Sequence, residues 1–260
     1  MTQTHPPSLL DPACYPHAVE RVELVETHVS WVFLAGEFAY KVKKPVRLPF
    51  LDFSTLAARR FFCEEELRLN RRTAADIYLQ VLPVAGPPET PRIGGDGEPI
   101  DYALQMRRFS QDELADRIVR LGGIGNARVD ALAAVIADFH ARVPAAPPDS
   151  PFGAPGQIAD AALENFEELA GLVSDPSQRA VLDGLRAWTV GESARRKPVF
   201  EGRKRSGFVR ECHGDLHLGN IFFDHNTPVL FDCIEFNPGF RWIDVISEVA
   251  FLVMDLREHG

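Results

Sequence analysis

The chain is poor in the features that mark several large classes of protein. Its 260 residues include only four cysteines, Cys14, Cys63, Cys212 and Cys233, dispersed and without a CxxC pair. That spacing suggests neither a disulfide framework nor a four-thiolate zinc site, so free, mostly buried thiols in a reducing compartment are expected. No window approaches the ~20 apolar residues of a membrane span. The N-terminal MTQTHPPSLLDPACYPH has neither the basic start nor the apolar stretch of a secretory leader. Positive charge is scarce as well: 28 Lys and Arg against 37 Asp and Glu leave a net charge of −9. A generic phosphate-backbone binder needs a basic footprint that this chain lacks. The expectation is a cytoplasmic protein with no membrane and no nucleic-acid partner, which holds any anionic ligand by a few placed groups. No internal repeat is visible.

What is present is ordinary for a folded protein, with 45% apolar and 25% charged residues. At this length the chain forms one large domain or two small lobes. From Ala18 to Lys44 it is dense in Val, Phe, Trp and Tyr and broken by Ala35-Gly36-Glu37, which predicts a hairpin. Alternation in its second strand puts Lys41 and Lys43 on one face and Tyr40 and Val42 on the other. Asp52 or Ser54 can cap a helix over about Thr55 to Arg72, which carries Glu64-Glu65-Glu66. Strand-like segments recur at Ile77 to Val84 and Tyr102 to Met106, completing an α+β lobe around an antiparallel sheet with one main helix, residues 18–106.

Residues 107–260 read as mainly helical. Val129 to Val143 has apolar residues at helical spacing, and Ala159 to Leu172 and Gln178 to Trp188 suggest further helices. The Pro-rich stretch Pro144 to Gly156 is an exposed connection. Asp244 to Leu256 is apolar nearly all round and reads as a buried helix, with Asp244 at its N-terminal end.

The densest chemistry lies in HGDLHLGNIFFDHNTPVLFDCIEF, His213 to Phe236. Ile221-Phe222-Phe223 and Val229-Leu230-Phe231 should pair across the turn residues between them. With the tip placed near Asn226, the pairing sets Asn220 opposite Asp232 at the open end. A carboxylate beside an amide oxygen suits a hard cation such as Mg2+, which otherwise keeps waters and substrate phosphates. Asp215 precedes Asn220 by the D-x-x-x-x-N spacing of a kinase catalytic loop, in which the Asp accepts the acceptor proton and the Asn and a later Asp hold metal.

With these residues in hand the sequence resembles the aminoglycoside phosphotransferase-like branch of the two-lobed protein-kinase-like fold, from Val22 to Leu256. The HGDLHLGN and LFDCIEF segments carry the likeness. The resemblance implies Asp215 as catalytic base, His213 as a support of its loop, Asn220 and Asp232 as magnesium ligands, and Asp244 as the buried carboxylate bracing that loop. FAYK, in the position of the kinase lysine strand, makes Lys41 the ligand of the ATP phosphates, with Lys43 in reserve. Glu66, on the helical face of Phe62 and Leu69, is the partner of that lysine, and Glu65 the alternative. No G-x-G-x-x-G precedes Lys41, so the turn Glu26 to Ser30 would cover the nucleotide. Gln105 and Met106, at the lobe junction, would meet adenine. The family's chains usually continue beyond the point where this one stops, Gly260, so the helical lobe reads as a fragment or as unusually short. FAYKVKKPV followed by CEEELRLNRR looks most like a bacterial subgroup often fused to a P-loop kinase domain; no GxxxxGK[ST] occurs here.

The expectation is therefore an ATP- and Mg2+-dependent phosphotransferase acting on a hydroxyl of a small molecule. Protein acceptors are disfavoured, because only Cys233 to Ile243 separates Asp232 from Asp244, too little for an activation segment. Two other readings stay open. One is a kinase-shaped binding module with little or no turnover. The other is a metal-dependent phosphohydrolase using His213-x-Asp215-x-His217 with Asp138-Phe139-His140. Glu235 is either a supporting carboxylate or a plain loop acid.

Overall fold

The computed structural model describes residues 7–258. The two chain ends, 1–6 and 259–260, on which the leader and truncation expectations partly rest, lie outside the described residues. The first lobe is a twisted antiparallel sheet. Strands β1 (Val22–Glu26), β2 (Ser30–Ala35) and β3 (Phe38–Lys43) follow one another, and the β2–β3 turn closes at Gly36, whose φ of 61° is open to glycine without strain. A short ribbon of β4 (Arg47–Leu48) and β5 (Leu51–Asp52) leads into α1 (Leu56–Asn70). Strands β6 (Tyr78–Ala85), β7 (Arg92–Ile93) and β8 (Pro99–Arg107) complete the sheet in the order β1-β2-β3-β8-β6-β7.

The cap of α1 is Thr55, one residue past the expected Ser54; its side chain accepts from the Ala58 amide at 3.1 Å. Asp52 instead closes a local turn onto the Ser54 amide. Alternation holds along β3. Tyr40 and Val42 enter an outer core with Trp31, Phe33 and Ala103, while Lys41 and Lys43 turn towards α1. Leu9, Cys14 and Tyr15 join that core, so this lobe begins before Ala18.

The second part is helical: α2 (Ala115–Arg120), α3 (Gly125–Arg142), α4 (Pro155–Leu172) and α5 (Pro176–Arg205). Helix α5 runs well beyond Trp188 and carries Pro198 inside it. There follow β9 (Val209–Glu211), the hairpin β10 (Ile221–Asp224) and β11 (Thr227–Leu230), a turn of helix α6 (Pro238–Arg241), β12 (Trp242–Asp244) and α7 (Val245–Glu258). A second core joins Leu132, Ile136 and Phe139 of α3 to Leu216, Leu218, Ile221 and Leu252. Helix α7 is buried along one face only. Glu248 and Leu252 point inward, whereas Ile246 and Met254 are exposed, against the expectation of a helix buried all round. Among the described residues no helix is long and apolar enough to cross a membrane. All four cysteines are free and buried.

The β10–β11 hairpin closes through His225 and Asn226, both at positive φ (46° and 70°), a two-residue turn whose twist matches that of the strands. Its register pairs Ile221 with Leu230, and Phe231 donates to the Asn220 carbonyl at 3.0 Å. Asn220 therefore faces Phe231 and not Asp232, one residue from the expected register. Phe139 is fully buried, with the Arg72 guanidinium 5.2 Å from its ring. Phe139→Ala is expected to cost about 3–5 kcal/mol, the range for deleting a packed aromatic ring, measured by chemical denaturation.

Candidate active site

Two lysines two residues apart on β3 present their side chains to the same face, and Glu66 of α1 meets both. Lys41 Nζ donates to Glu66 Oε1 at 2.8 Å, and Lys43 Nζ to Glu66 Oε2 at 2.7 Å. Glu66 is completely buried, the result of sharing a helical face with Leu69. Its neighbours diverge: Glu64 pairs with Arg60 at the surface, and Glu65 with Arg68 and Arg241. Each lysine has a second carboxylate. Lys41 Nζ reaches Asp232 Oδ1 at 2.6 Å, and Lys43 Nζ is bonded to Glu235. The order Asp232, Lys41, Glu66, Lys43, Glu235 is a continuous row of alternating charge.

Burial disfavours charge on Lys41, Lys43 and Glu235, and partners decide the outcome. For Lys41 burial is outweighed by Asp232 and Glu66, which raise its pKa. For Asp232 burial pushes upward, but Lys41, helped by Lys43 and His213, holds the carboxyl below its ordinary value. Glu235 goes the other way: burial lifts it despite Lys43. Asp232 itself has a φ of 63°, unusual for a side chain other than glycine. Its backbone is held by the Tyr78 hydroxyl, which accepts from the Asp232 amide at 3.1 Å, and by Asn70 Oδ1, which accepts from the Cys233 amide at 2.9 Å.

The loop from His213 to Asn220 lies between β9 and β10. His213 is buried, its Nε2 at 2.7 Å from the Phe231 carbonyl, which ties the loop to the end of the hairpin. Asn220 Nδ2 donates to the Asp215 carbonyl at 2.9 Å and to its Oδ2 at 3.2 Å. His217 Nε2 lies 3.6 Å from the same Oδ2. The nearby His217 ring lowers the Asp215 pKa against the opposing effect of burial, with His213 and the Asn220 hydrogen bond adding to it. The Asp215 side chain stays 42% exposed, open to a ligand.

The carboxylate that braces this loop is Glu248, not Asp244. Glu248 Oε1 accepts from the amides of His213 (2.6 Å) and Gly214 (2.8 Å), while Oε2 meets His140 Nε2 at 2.6 Å. Asp244 is instead taken by Arg203 in a two-pronged ion pair, and it caps α7 through the Ile246 amide. Two turns further along the helix, Asp255 accepts from the Leu218 amide at 2.7 Å. The Asp138-Phe139-His140 element does not join the loop as a metal cluster: Asp138 pairs with Arg142 at the surface, and His140 is the partner of Glu248. Gly214 has a φ of 91°, and a Cβ there would lie 3.0 Å from the Phe240 carbonyl oxygen.

A cleft of about 240 Å³ opens between the sheet and the hairpin. Val32, Leu34 and Ala39 line it from the sheet, Met106, Phe109 and Phe231 from the junction, and Lys41 and Asp232 belong to its wall. Met106 is thus at the cleft, but Gln105 is not. Paired with Tyr40, it shares that residue's face, and its amide donates to the Tyr40 hydroxyl at 3.0 Å inside the outer core. The junction residues Arg107, Arg108 and Phe109 take its place. Of the turn Glu26 to Ser30, Thr27 reaches the cleft, and Lys44 pins the turn through Glu26 and the Thr27 carbonyl.

Several supports escaped the sequence reading. Glu211 on β9 receives Arg68, Arg72 and Arg241, and Arg241 also reaches Glu65, so α1 is bolted to the strand that starts the loop. The available signal was a lone acid within the apolar run of α7 for Glu248; for Glu211 there was none short of the fold itself.

A two-lobed α+β molecule with a paired lysine and glutamate facing an HxDxxxxN loop across a cleft defines a class, the kinase-like phosphotransferases. A profile of the phosphotransferase enzyme family matches residues 63–259, and the chain belongs to that family. It is 33% identical over 253 residues to uncharacterized proteins of Mycobacterium tuberculosis and Mycobacterium bovis, across 96% of this chain and 49% of theirs. The chain thus spans about half the length of these curated relatives. It is also similar to the crystal structure of a choline/ethanolamine kinase family protein from Mesorhizobium loti, with 13% identity, a TM-score of 0.45, and coverage of 91% of this chain and 64% of that one.

Burial raises the Glu248 carboxyl, but His140, His213 and the Gly214 amide together hold it below its ordinary 4.5. Its contribution to stability is therefore present above that pH and fades as pH falls through the depressed value. Glu248→Ala strips the His213 and Gly214 amides of their acceptor and is expected to cost about 1–3 kcal/mol at neutral pH. In denaturation midpoints compared across pH, the gap between wild type and variant should narrow only on the acid side.

Proposed function

We propose that this chain is the catalytic unit of an ATP-dependent phosphotransferase that moves the γ-phosphate to a hydroxyl of a small molecule. The observation that carries this reading is that Asp215 and Asn220, linked to each other, stand at the open end of the hairpin, two residues beyond which Asp232 is gripped by Lys41. The apolar cleft beside them suits a flat base, and Lys41 suits the phosphates that follow from it.

Asp232 and Asn220 suit magnesium. A carboxylate and an amide oxygen are the hard donors that cation takes, and the Asn220 amide nitrogen is already spent on Asp215, so its oxygen is the donor atom left. The Lys41 ammonium on Asp232 supports this reading, since a positive charge already occupies that carboxylate. When bound, magnesium would neutralise charge on the phosphates. The remaining work falls to the protein. Asp215, kept ionised by His217 and Asn220, orients the acceptor hydroxyl and takes its proton, and Glu66 holds Lys41 in place. Most of the acceleration would come from positioning and charge compensation.

The net negative charge is compatible with a cationic acceptor but is equally ordinary for an enzyme of neutral substrates, so small hydroxylated metabolites as a class are the proposed acceptors. The extra half of the longer relatives is where a partner domain, by resemblance a P-loop kinase domain, would sit. A screen of ATP consumption over sugars, amino alcohols and aminoglycosides tests the acceptor class.

Asp215→Ala should keep Mg2+-dependent nucleotide binding and lower turnover by roughly 10²–10⁴-fold, the usual worth of a positioned base. Asp232→Ala should instead lose Mg2+-dependent binding. Unchanged turnover in Asp215→Ala would show that another group takes the proton. Because the Asp215 pKa is lowered, the acid limb of the rate profile should lie below the ordinary carboxylate range instead of near neutrality.

A further inference from the structure

The second lysine has no part in the mechanism above. Lys43 is 1% exposed, its ammonium 4.8 Å from the centre of the Phe53 ring and walled in by Glu66 and Glu235. It cannot reach a nucleotide in the cleft. Burying a lysine and two carboxylates is costly, and apolar residues of similar volume often do as well for stability alone, so the pair calls for another explanation.

The clue is what Lys43 holds. Glu235 stands three residues after Asp232, at the far end of a segment in which successive amides have each found a partner. The Asp232 amide goes to Tyr78, that of Cys233 to Asn70, and that of Ile234 to the His213 carbonyl at 3.0 Å. The Glu235 carbonyl accepts from Arg241 at 3.1 Å. Within this segment Asp232 adopts a left-handed backbone, a state that persists in a residue with a Cβ only when its surroundings over-determine it. Lys41 cannot supply that constraint, because its bond to Asp232 must loosen whenever phosphates and a cation take over. Lys43 can. It keeps the second oxygen of Glu66 and the carboxylate of Glu235 while Lys41 is free to move.

We propose that Lys43 and Glu235 form a latch that holds Asp232 in its left-handed, cleft-facing conformation, so that the cation-binding carboxylate is set before the nucleotide arrives. They are positioning residues, and Lys41 is the working arm of the same row. This inference rests on the reading of Asp232 as a magnesium ligand.

The test compares wild type, Glu235→Ala, Glu235→Gln, Lys43→Met and Lys41→Met by calorimetric binding of ATP with and without Mg2+. Glu235→Ala is the principal variant, since Lys43 retains Glu66 and the fold should survive. The expected result is ATP affinity without Mg2+ within about twofold of wild type, but a Mg2+ concentration for half-maximal binding raised about tenfold, with Glu235→Gln in between. Amide exchange at Asp232 to Ile234 should quicken in the free protein, while that of α7 stays unchanged. Lys41→Met should lose affinity with and without Mg2+. A folded Glu235→Ala with wild-type Mg2+ dependence would overturn the latch and leave the phosphotransferase reading standing. Wild-type protein whose ATP binding ignores Mg2+ would overturn both.

Discussion

Glu66 cannot leave its place without undoing everything around it. One carboxylate, with no exposure to water, joins a strand of the sheet to the long helix packed on it, and through two lysines it reaches both ends of the segment that follows the hairpin. Opposite charges in a site from which water is excluded attract more strongly than at a surface, and an orphaned partner there is correspondingly expensive. The row of five groups therefore behaves as a unit. Its geometry sets where Lys41 can stand, where Asp232 points, and how close the sheet comes to the hairpin.

Helix α1 is also fastened through its last turn, just beyond Glu66. Arg68 and Arg72 reach Glu211, Arg72 reaches the Glu211 and Cys212 carbonyls, and Asn70 receives the Cys233 amide. These bonds touch the chain just before the HxD loop and just after the hairpin. From below, Glu248 and Asp255 on α7 take the amides of the loop itself. The two lobes are thus connected by many oriented polar contacts, most of them made by side chains with no chemical role. Such a scaffold gives a reacting group a fixed address without a long regulatory segment, consistent with the short stretch between Asp232 and Asp244.

Much of this could be read from the residues in order. Period-two alternation on β3 separated Lys41 from Tyr40, and the helical face of Phe62 and Leu69 singled out Glu66 from its acidic neighbours. The loop motif and the hairpin that follows it gave Asp215, Asn220 and Asp232. The failures have physical reasons. The hairpin register was off by one because the turn uses His225 and Asn226 together, both left-handed, a choice only the backbone reveals. Gln105 was misplaced because its face depends on which strand lies beside β8, and opposite Tyr40 it must turn away from Lys41. Asp244 and Glu248 lie on the same stretch of chain, and only the packing of α7 under the loop decides which one meets it. Glu211 was invisible, since its three arginine partners come from distant segments.

The most direct measurement is a crystal structure of the chain with a non-hydrolysable ATP analogue and Mg2+. The expected result is an adenine in the apolar cleft, Lys41 moved from Asp232 to the phosphates, a cation on Asp232 and Asn220, and Glu66 still held by Lys43. A nucleotide bound elsewhere, or a Lys41–Asp232 pair left intact beside a cation on other residues, would contradict it.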